Sequence, residues 1–232
     1  MRIYMKKGFT LAEVLITLGI IGIVAALTIP NLIGNYEKYI TVVKLKRAYS
    51  IISQVAERGV AEYGDMNSLD SFYDEKDNCE KYYNKYWKPY IQIAKGPVKF
   101  DRYYDADLYK KYGYKGPFSS VNGSPWYDLE GNQKLSITVG FDLITTDNIF
   151  IRVDMSNNII VDLNGPQKPN KAGRDVFWFS INKSQNKVTP LSYYAGEREC
   201  GTVSEAGSWG GGYTCADKIM KDGWTIKDDY PW

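Results

Sequence analysis

The sequence predicts an α+β fold in which one long N-terminal helix precedes an antiparallel β-meander and packs against it. Three observations predict it. The first is an apolar run from Phe9 to Ile33, and the second is an amphipathic pattern that continues from it to about Tyr63. The third is a set of β-rich runs from Leu135 onward, separated by short polar turns. At 232 residues the chain has room for one globular domain with a buried core and an appended segment.

The apolar run carries Glu13 as its sole charge. About 25 helical residues at about 1.5 Å each reach roughly 37 Å, enough to cross a bilayer core of about 30 Å. Arg2, Lys6 and Lys7 precede it, so the positive-inside rule keeps the N-terminus in the cytoplasm and places the rest outside. Val24-Ala25-Ala26 would also serve a signal peptidase, giving a chain that begins at Leu27, and an uncleaved anchor has the same composition. Both of these readings leave Glu13 poorly explained, because a carboxylate deep in a bilayer costs on the order of 2.5–3.5 kcal/mol. Locally, Thr10-Leu11-Ala12-Glu13 fits a capping box, with Thr10 as N-cap. Gly19 and Gly22 allow close helix approach, while Pro30 removes a backbone bond and is expected to kink or loosen the helix.

From Tyr36 the pattern turns amphipathic. Tyr36, Tyr39, Ile40, Val43, Ile52 and Val55 mark the apolar side, and Gly64 is the expected C-cap. Cys79–Ile93 reads as a short aromatic helix stopped near Pro89. From Lys95 to Glu130 the turn marks Gly96-Pro97, Gly116-Pro117 and Ser124-Pro125 predict loops and short elements at the surface. Strands are predicted over Leu135–Thr145, Asn148–Asp154, Asn158–Leu163, Asp175–Ile181 and, more weakly, Val188–Leu191. The tail ending in Tyr230-Pro231-Trp232 is expected to dock on the domain surface.

Charge and composition exclude several classes. With 29 basic and 27 acidic residues, the net charge of +2 provides no basic face for a nucleic acid. The chain has no histidine, which removes the commonest neutral-pH base and the commonest zinc ligand. It has no Gly-x-Ser-x-Gly and no phosphate loop, so the chain reads as the substrate of an enzyme and not as an enzyme.

Lys6-Lys7-Gly8 followed by Phe9-Thr10-Leu11-Ala12-Glu13-Val14-Leu15 resembles the prepilin processing site of type IV pilins and type II secretion pseudopilins. The resemblance implies cleavage after Gly8 by a prepilin peptidase/methyltransferase and N-methylation of Phe9. It also implies pairing of Glu13 with the terminal amine of a neighbouring subunit, and local melting of the helix near Pro30 in the filament. Its partners would be the membrane, an inner-membrane assembly platform and other pilin subunits, with the globular part outside the cytoplasm. On this reading residues 1–8 are leader, 9–33 transmembrane and filament-core helix, 34–64 its amphipathic continuation, and 65–232 the globular domain. A rival from another class is a secreted surface-binding or adhesin module released after Ala26.

Two further features belong to the globular part. Asp162-Leu163-Asn164-Gly165 sets oxygen ligands at alternate positions before a sharp turn, as hard-cation loops do, and Asn170 and Asp175 could close the shell. The loop resembles an Asp/Asn/Gly/Pro-rich loop of pseudopilins, some of which bind calcium. Its few carboxylates imply modest affinity, and a turn-rich connection whose Asx side chains bond their own backbone fits the same residues. Three cysteines, Cys79, Cys200 and Cys215, leave three single pairings open. The resemblance to the cysteine-bounded C-terminal loop of type IV pilins implies Cys200–Cys215.

Overall fold

A computed structural model describes residues 8–66, 76–99, 106–116, 118, 124–132, 140–192, 200–201 and 211–232. The long helix, α1, spans Leu11–Tyr63. Gly64, at φ 89°, ends it by donating its N–H to the carbonyl of Val60 at 2.9 Å, the C-cap the sequence predicts. The helix continues on both sides of Pro30, so the missing N–H is accommodated within α1.

The chain divides into two compact units, Met1–Ile40 and Thr41–Trp232. In the second, α1 buries Val42, Leu45, Ala48, Ile52, Val55 and Gly59, a stripe at three- and four-residue steps. Ile52 and Val55 lie on this stripe as expected. Tyr36, Tyr39 and Val43, expected beside them, are 63%, 65% and 45% exposed, because the helical repeat sets them on a different side of α1.

The sheet has six strands paired in sequence order, every pair antiparallel. They are β1 Ile93–Lys99, β2 Gly140–Thr145, β3 Phe150–Asp154, β4 Asn158–Asp162, β5 Val176–Asn182 and β6 Lys187–Pro190. The meander is the predicted one with a strand added in front. The Leu135–Val139 part of the first expected strand lies outside the described residues. Asn148 (φ 61°), Asn157 (φ 64°) and Asn186 (φ 52°) take the left-handed turn positions, which short polar side chains tolerate best. Among the described residues the α-helices α2 Lys76–Tyr86, α3 Ala106–Tyr112 and α4 Cys215–Lys221 accompany the sheet.

β1 corrects the expectation of a loop at Gly96-Pro97. Proline is tolerated there because β1 is an edge strand with an irregular register. Gly96 sits at φ 109°, where a Cβ would lie 2.7 Å from the carbonyl oxygen of Asp142, so the tight approach to β2 requires glycine.

Both faces of the sheet are buried, and strict alternation sorts the side chains. Phe141, Leu143, Ile151, Val153, Ile159, Val161, Phe177 and Phe179 face the core shared with α1, α2 and α4. Ile144, Phe150, Ile160, Val176 and Trp178 belong to a second core with Tyr109, Tyr112, Tyr114 and Trp126. This corrects the surface-forming expectation for the Lys95–Glu130 stretch. Its aromatic rings pack edge-on around Phe150 while their polar ends find buried partners.

On that second face Asp142 and Arg152 are direct cross-strand neighbours, with Nη1 of Arg152 3.2 Å from Oδ1 of Asp142. The same Nη1 lies 3.2 Å from the Tyr109 hydroxyl, and the Tyr112 hydroxyl donates to the Asp142 carbonyl. Asp142 Oδ2 is buried with no hydrogen-bond partner among the described residues. Burial pushes the Asp142 carboxyl up to about 7 against the pull of Arg152. A group raised in the folded state contributes stability that is full below its unfolded value near 3.8 and is lost as pH rises through about 7. Melting temperature is therefore expected to fall from pH 5 to pH 8 more steeply in the wild type than in Asp142→Asn. Equal slopes would refute the assignment.

Candidate functional site

The N-terminal segment comes first. Thr10 donates its backbone N–H and its hydroxyl to Oε2 of Glu13, each at 2.8 Å, and accepts the N–H of Glu13 on its hydroxyl at 3.3 Å. This is the capping box read from the sequence, and it satisfies donors that a helix start leaves open. Thr17 and Thr28 return their hydroxyls to carbonyls four residues back, so their polar groups are also closed within the helix. Gly8 and Phe9 precede α1, and Phe9 is 89% exposed. From Leu11 to Ile33 the apolar side chains are exposed on every side of the helix, and the most apolar 18-residue stretch is wholly unburied, with mean hydropathy 2.3. A helix apolar all round needs a bilayer or other helices to cover it.

The loop from Asp162 to Asp175 leaves β4 and enters β5, so the cross-strand pair Asp162–Val176 brings its two ends together. The Asp162 carboxylate accepts the Tyr114 hydroxyl at 2.8 Å and the indole N–H of Trp126 at 3.0 Å on Oδ2, and the Asn164 N–H at 3.3 Å on Oδ1. Asp175 accepts the backbone N–H of Asn170 at 2.8 Å and of Lys171 at 2.6 Å. Burial pushes Asp162 well above the carboxylate range, with the charge of Asp175 adding to it, and burial lifts Asp175 to about 6. All four residues singled out in the sequence, Asp162, Asn164, Asn170 and Asp175, thus meet in one loop. Spacing gave no sign of Tyr114 and Trp126, which reach Asp162 from 48 and 36 residues away.

The residues fit a hard-cation site in kind. Asn164 Oδ1 is buried without a donor among the described residues, and the Asn170 amide nitrogen is placed to donate to the carbonyl oxygens of Gln167 and Gly165. Two carboxylates are fewer than in a tight calcium loop, and no group of three or more His, Cys, Asp or Glu forms a metal cluster among the described residues.

Just before Asp175 the loop is clamped from three sides. The hydroxyl of Thr41 on α1 donates to the Arg174 carbonyl, the Tyr230 hydroxyl donates to the Gly173 carbonyl, and the Arg174 guanidinium lies 4.7 Å from the Trp232 ring. The tail thus docks on the domain as expected. Gly173 has φ 74°, and a Cβ there would come within 2.9 Å of Cys215 Sγ. Cys215 forms the disulfide with Cys200, while Cys79 is buried and outside any disulfide. Residues 202–210 between the paired cysteines lie outside the described set.

Residues 4–29 match a prokaryotic N-terminal methylation motif. Residues 31–232 match the model of a family of unknown function (DUF6613). The N-terminal segment is 49% identical over 35 residues to type II secretion system core protein G of Pectobacterium carotovorum subsp. carotovorum, covering 15% of this chain and 22% of that protein. Over 33 residues it is 52% identical to the protein of the same name from Escherichia coli (strain K12), covering 14% of this chain and 23% of that one. The chain therefore spans under a quarter of the length of these curated relatives. No solved structure matches the chain.

Proposed function

The chain belongs to the family of unknown function (DUF6613), and from that membership joined to the methylation motif ahead of it we propose that it is a pilin or pseudopilin. In this reading it is a structural subunit of a type IV pilus-like or type II secretion-like filament, and not an enzyme. One observation carries it: the motif at residues 4–29 runs into a helix whose apolar surface is left exposed by the described residues.

A prepilin peptidase/methyltransferase cuts between Gly8 and Phe9 and methylates the new amine. The subunit waits in the bacterial inner membrane, with its N-terminus cytoplasmic and its domain outside, where the Cys200–Cys215 disulfide persists. An inner-membrane assembly platform then moves it into a filament of like subunits, in which neighbouring helices cover the Leu11–Ile33 surface. Head-to-tail packing that does not close gives an open filament. Cleavage leaves an ammonium on Phe9, one residue before the capping threonine. The Glu13 carboxylate already holds the Thr10 N–H and hydroxyl at this end of the helix, and its remaining lone pairs are open to a neighbour's ammonium. An ammonium in apolar surroundings is tolerable when so paired.

The test is the N-terminal mass of the protein purified from its native membranes. N-methylated Phe9 is the expected result. A terminus at Leu27 would mean ordinary secretion, and the filament role would fall with it.

A second element of the proposal is a calcium-class cation in the 162–175 loop, held by Asp162, Asn164, Asn170 and Asp175. The buried, donorless Asn164 Oδ1 favours it. The cation would supply positive charge to two buried carboxylates and help hold the loop ends together. A rise in melting temperature on calcium addition, reversed by chelation, is the expected outcome, and no shift at millimolar calcium removes the cation.

A further inference from the structure

Past the apolar run, α1 keeps one apolar line going in a different chemistry. Ile29, Leu32, Ile33, Tyr36 and Tyr39 recur at three- and four-residue steps and so share a face, and each is at least half exposed. All five belong to the first compact unit, Met1–Ile40. Up to Ile33 the line is aliphatic. Beyond it come two phenols, each joining a large apolar ring to a hydroxyl at its tip.

Counting along the helix shows which surroundings those phenols meet. With the apolar run across the bilayer core, Tyr36 starts about 4.5 Å and Tyr39 about 9 Å past Ile33, at about 1.5 Å per residue. Each headgroup layer is about 5–8 Å deep. Helical side chains lean back over the turn before them, by about 5.4 Å. The Tyr36 ring therefore falls at the edge of the hydrocarbon and the Tyr39 ring among the headgroups. A run of about 37 Å must tilt to fit a core of about 30 Å, and tilt lowers both heights further. An amphipathic ring is stable at that depth, with its apolar body toward the acyl chains and its hydroxyl toward water. A neighbouring helix fits the same face less well, because close helix packing favours small residues, which Gly19 and Gly22 provide lower in the run.

We propose that Tyr36 and Tyr39 form an aromatic anchor that holds the unassembled subunit at a fixed depth, their rings among the phospholipids of the extracytoplasmic leaflet. The partner of this surface is lipid, and a subunit entering a filament gives it up. The inference rests on the membrane-anchored reading above and adds the place where the anchor stops.

The test reconstitutes the full chain, at low protein density, in phosphatidylethanolamine/phosphatidylglycerol vesicles whose acyl chains carry bromine either near the headgroup or near the chain end. Bromine quenches indole fluorescence only at its own depth. Tyr36→Trp and Tyr39→Trp each add an indole that keeps the amphipathic character of the position, and Ile21→Trp adds one at the middle of the run. The six native tryptophans all lie from Trp87 onward, in the second unit, so the wild type supplies the background. Ile21→Trp is expected to be quenched most by deep bromine, and Tyr36→Trp and Tyr39→Trp by shallow bromine. Quenching at Ile21→Trp with none above background at either tyrosine position overturns the anchor and leaves the membrane reading standing. A second copy seated on the rings would give that same result. No added quenching in any variant overturns both. The depth-setting role is read with the Ile21→Trp reporter: Tyr36→Ser/Tyr39→Ser is expected to lower its ratio of deep to shallow quenching. An unchanged ratio overturns that role.

Discussion

Glu13→Ala is expected to be cleaved after Gly8 and methylated at Phe9 normally, yet to be nearly absent from sheared filament fractions. The substitution leaves the processing residues and the apolar surface from Leu11 to Ile33 unchanged, so membrane insertion and cleavage should proceed. What it removes is the one carboxylate at the end of the helix. In the free subunit the loss is small, because Thr10 keeps its first-turn place and a lost cap costs about 1 kcal/mol. In the filament it strands an ammonium among apolar helices, and breaking one side of a buried pair costs about 3–5 kcal/mol. Repeated at every subunit contact, a penalty of that size suppresses growth. Glu13→Gln separates capping from charge, since it keeps a hydrogen-bond acceptor for Thr10 but offers no negative charge. Wild-type filament yield from both variants would sink the pairing role, and loss of cleavage would point to peptidase recognition instead.

Trp126→Ala is expected to be the most damaging single change in the globular domain, lowering its unfolding free energy by about 3–5 kcal/mol. The ring is fully buried, meets Tyr109, Tyr114 and Phe150, and donates its N–H to Asp162. Truncation therefore opens a cavity on the second face of the sheet and withdraws a donor from a buried carboxylate. Trp126→Phe should recover much of the packing and none of the hydrogen bond. Chemical denaturation read by far-UV circular dichroism measures both. A loss below about 1 kcal/mol for Trp126→Ala would mean that the aromatic cover is not integral to the fold.

The same cover shows where sequence reading reached its limit. The strands from β2 to β6 were legible because β-branched and aromatic residues recur between polar turns. Alternation could not reveal that both faces are covered, since Asp142, Arg152 and Asp162 break the apolar pattern at positions that only a distant partner explains. The Tyr-rich stretch before Trp126 looked like surface because Gly96-Pro97, Gly116-Pro117 and Ser124-Pro125 mark turns along it. Its hydroxyls are instead spent on the Asp142 carbonyl and the Asp162 carboxylate. β1 was hidden by its own Gly96-Pro97, which reads as a turn until a neighbouring strand shows it to be a bulged edge. The short helices α3 and α4 carry too few turns for periodicity to register.

The sequence by itself determined the long N-terminal helix of this protein. A 3.6-residue helix needs only local bonds, so a capping box and an unbroken apolar run specify α1, its start and its need for an apolar environment. Tertiary structure alone decided the second sheet face, the partners of Asp162 and the surroundings of Asn170. Each depends on groups brought together across dozens of residues, and one-dimensional spacing holds no record of a contact made by folding.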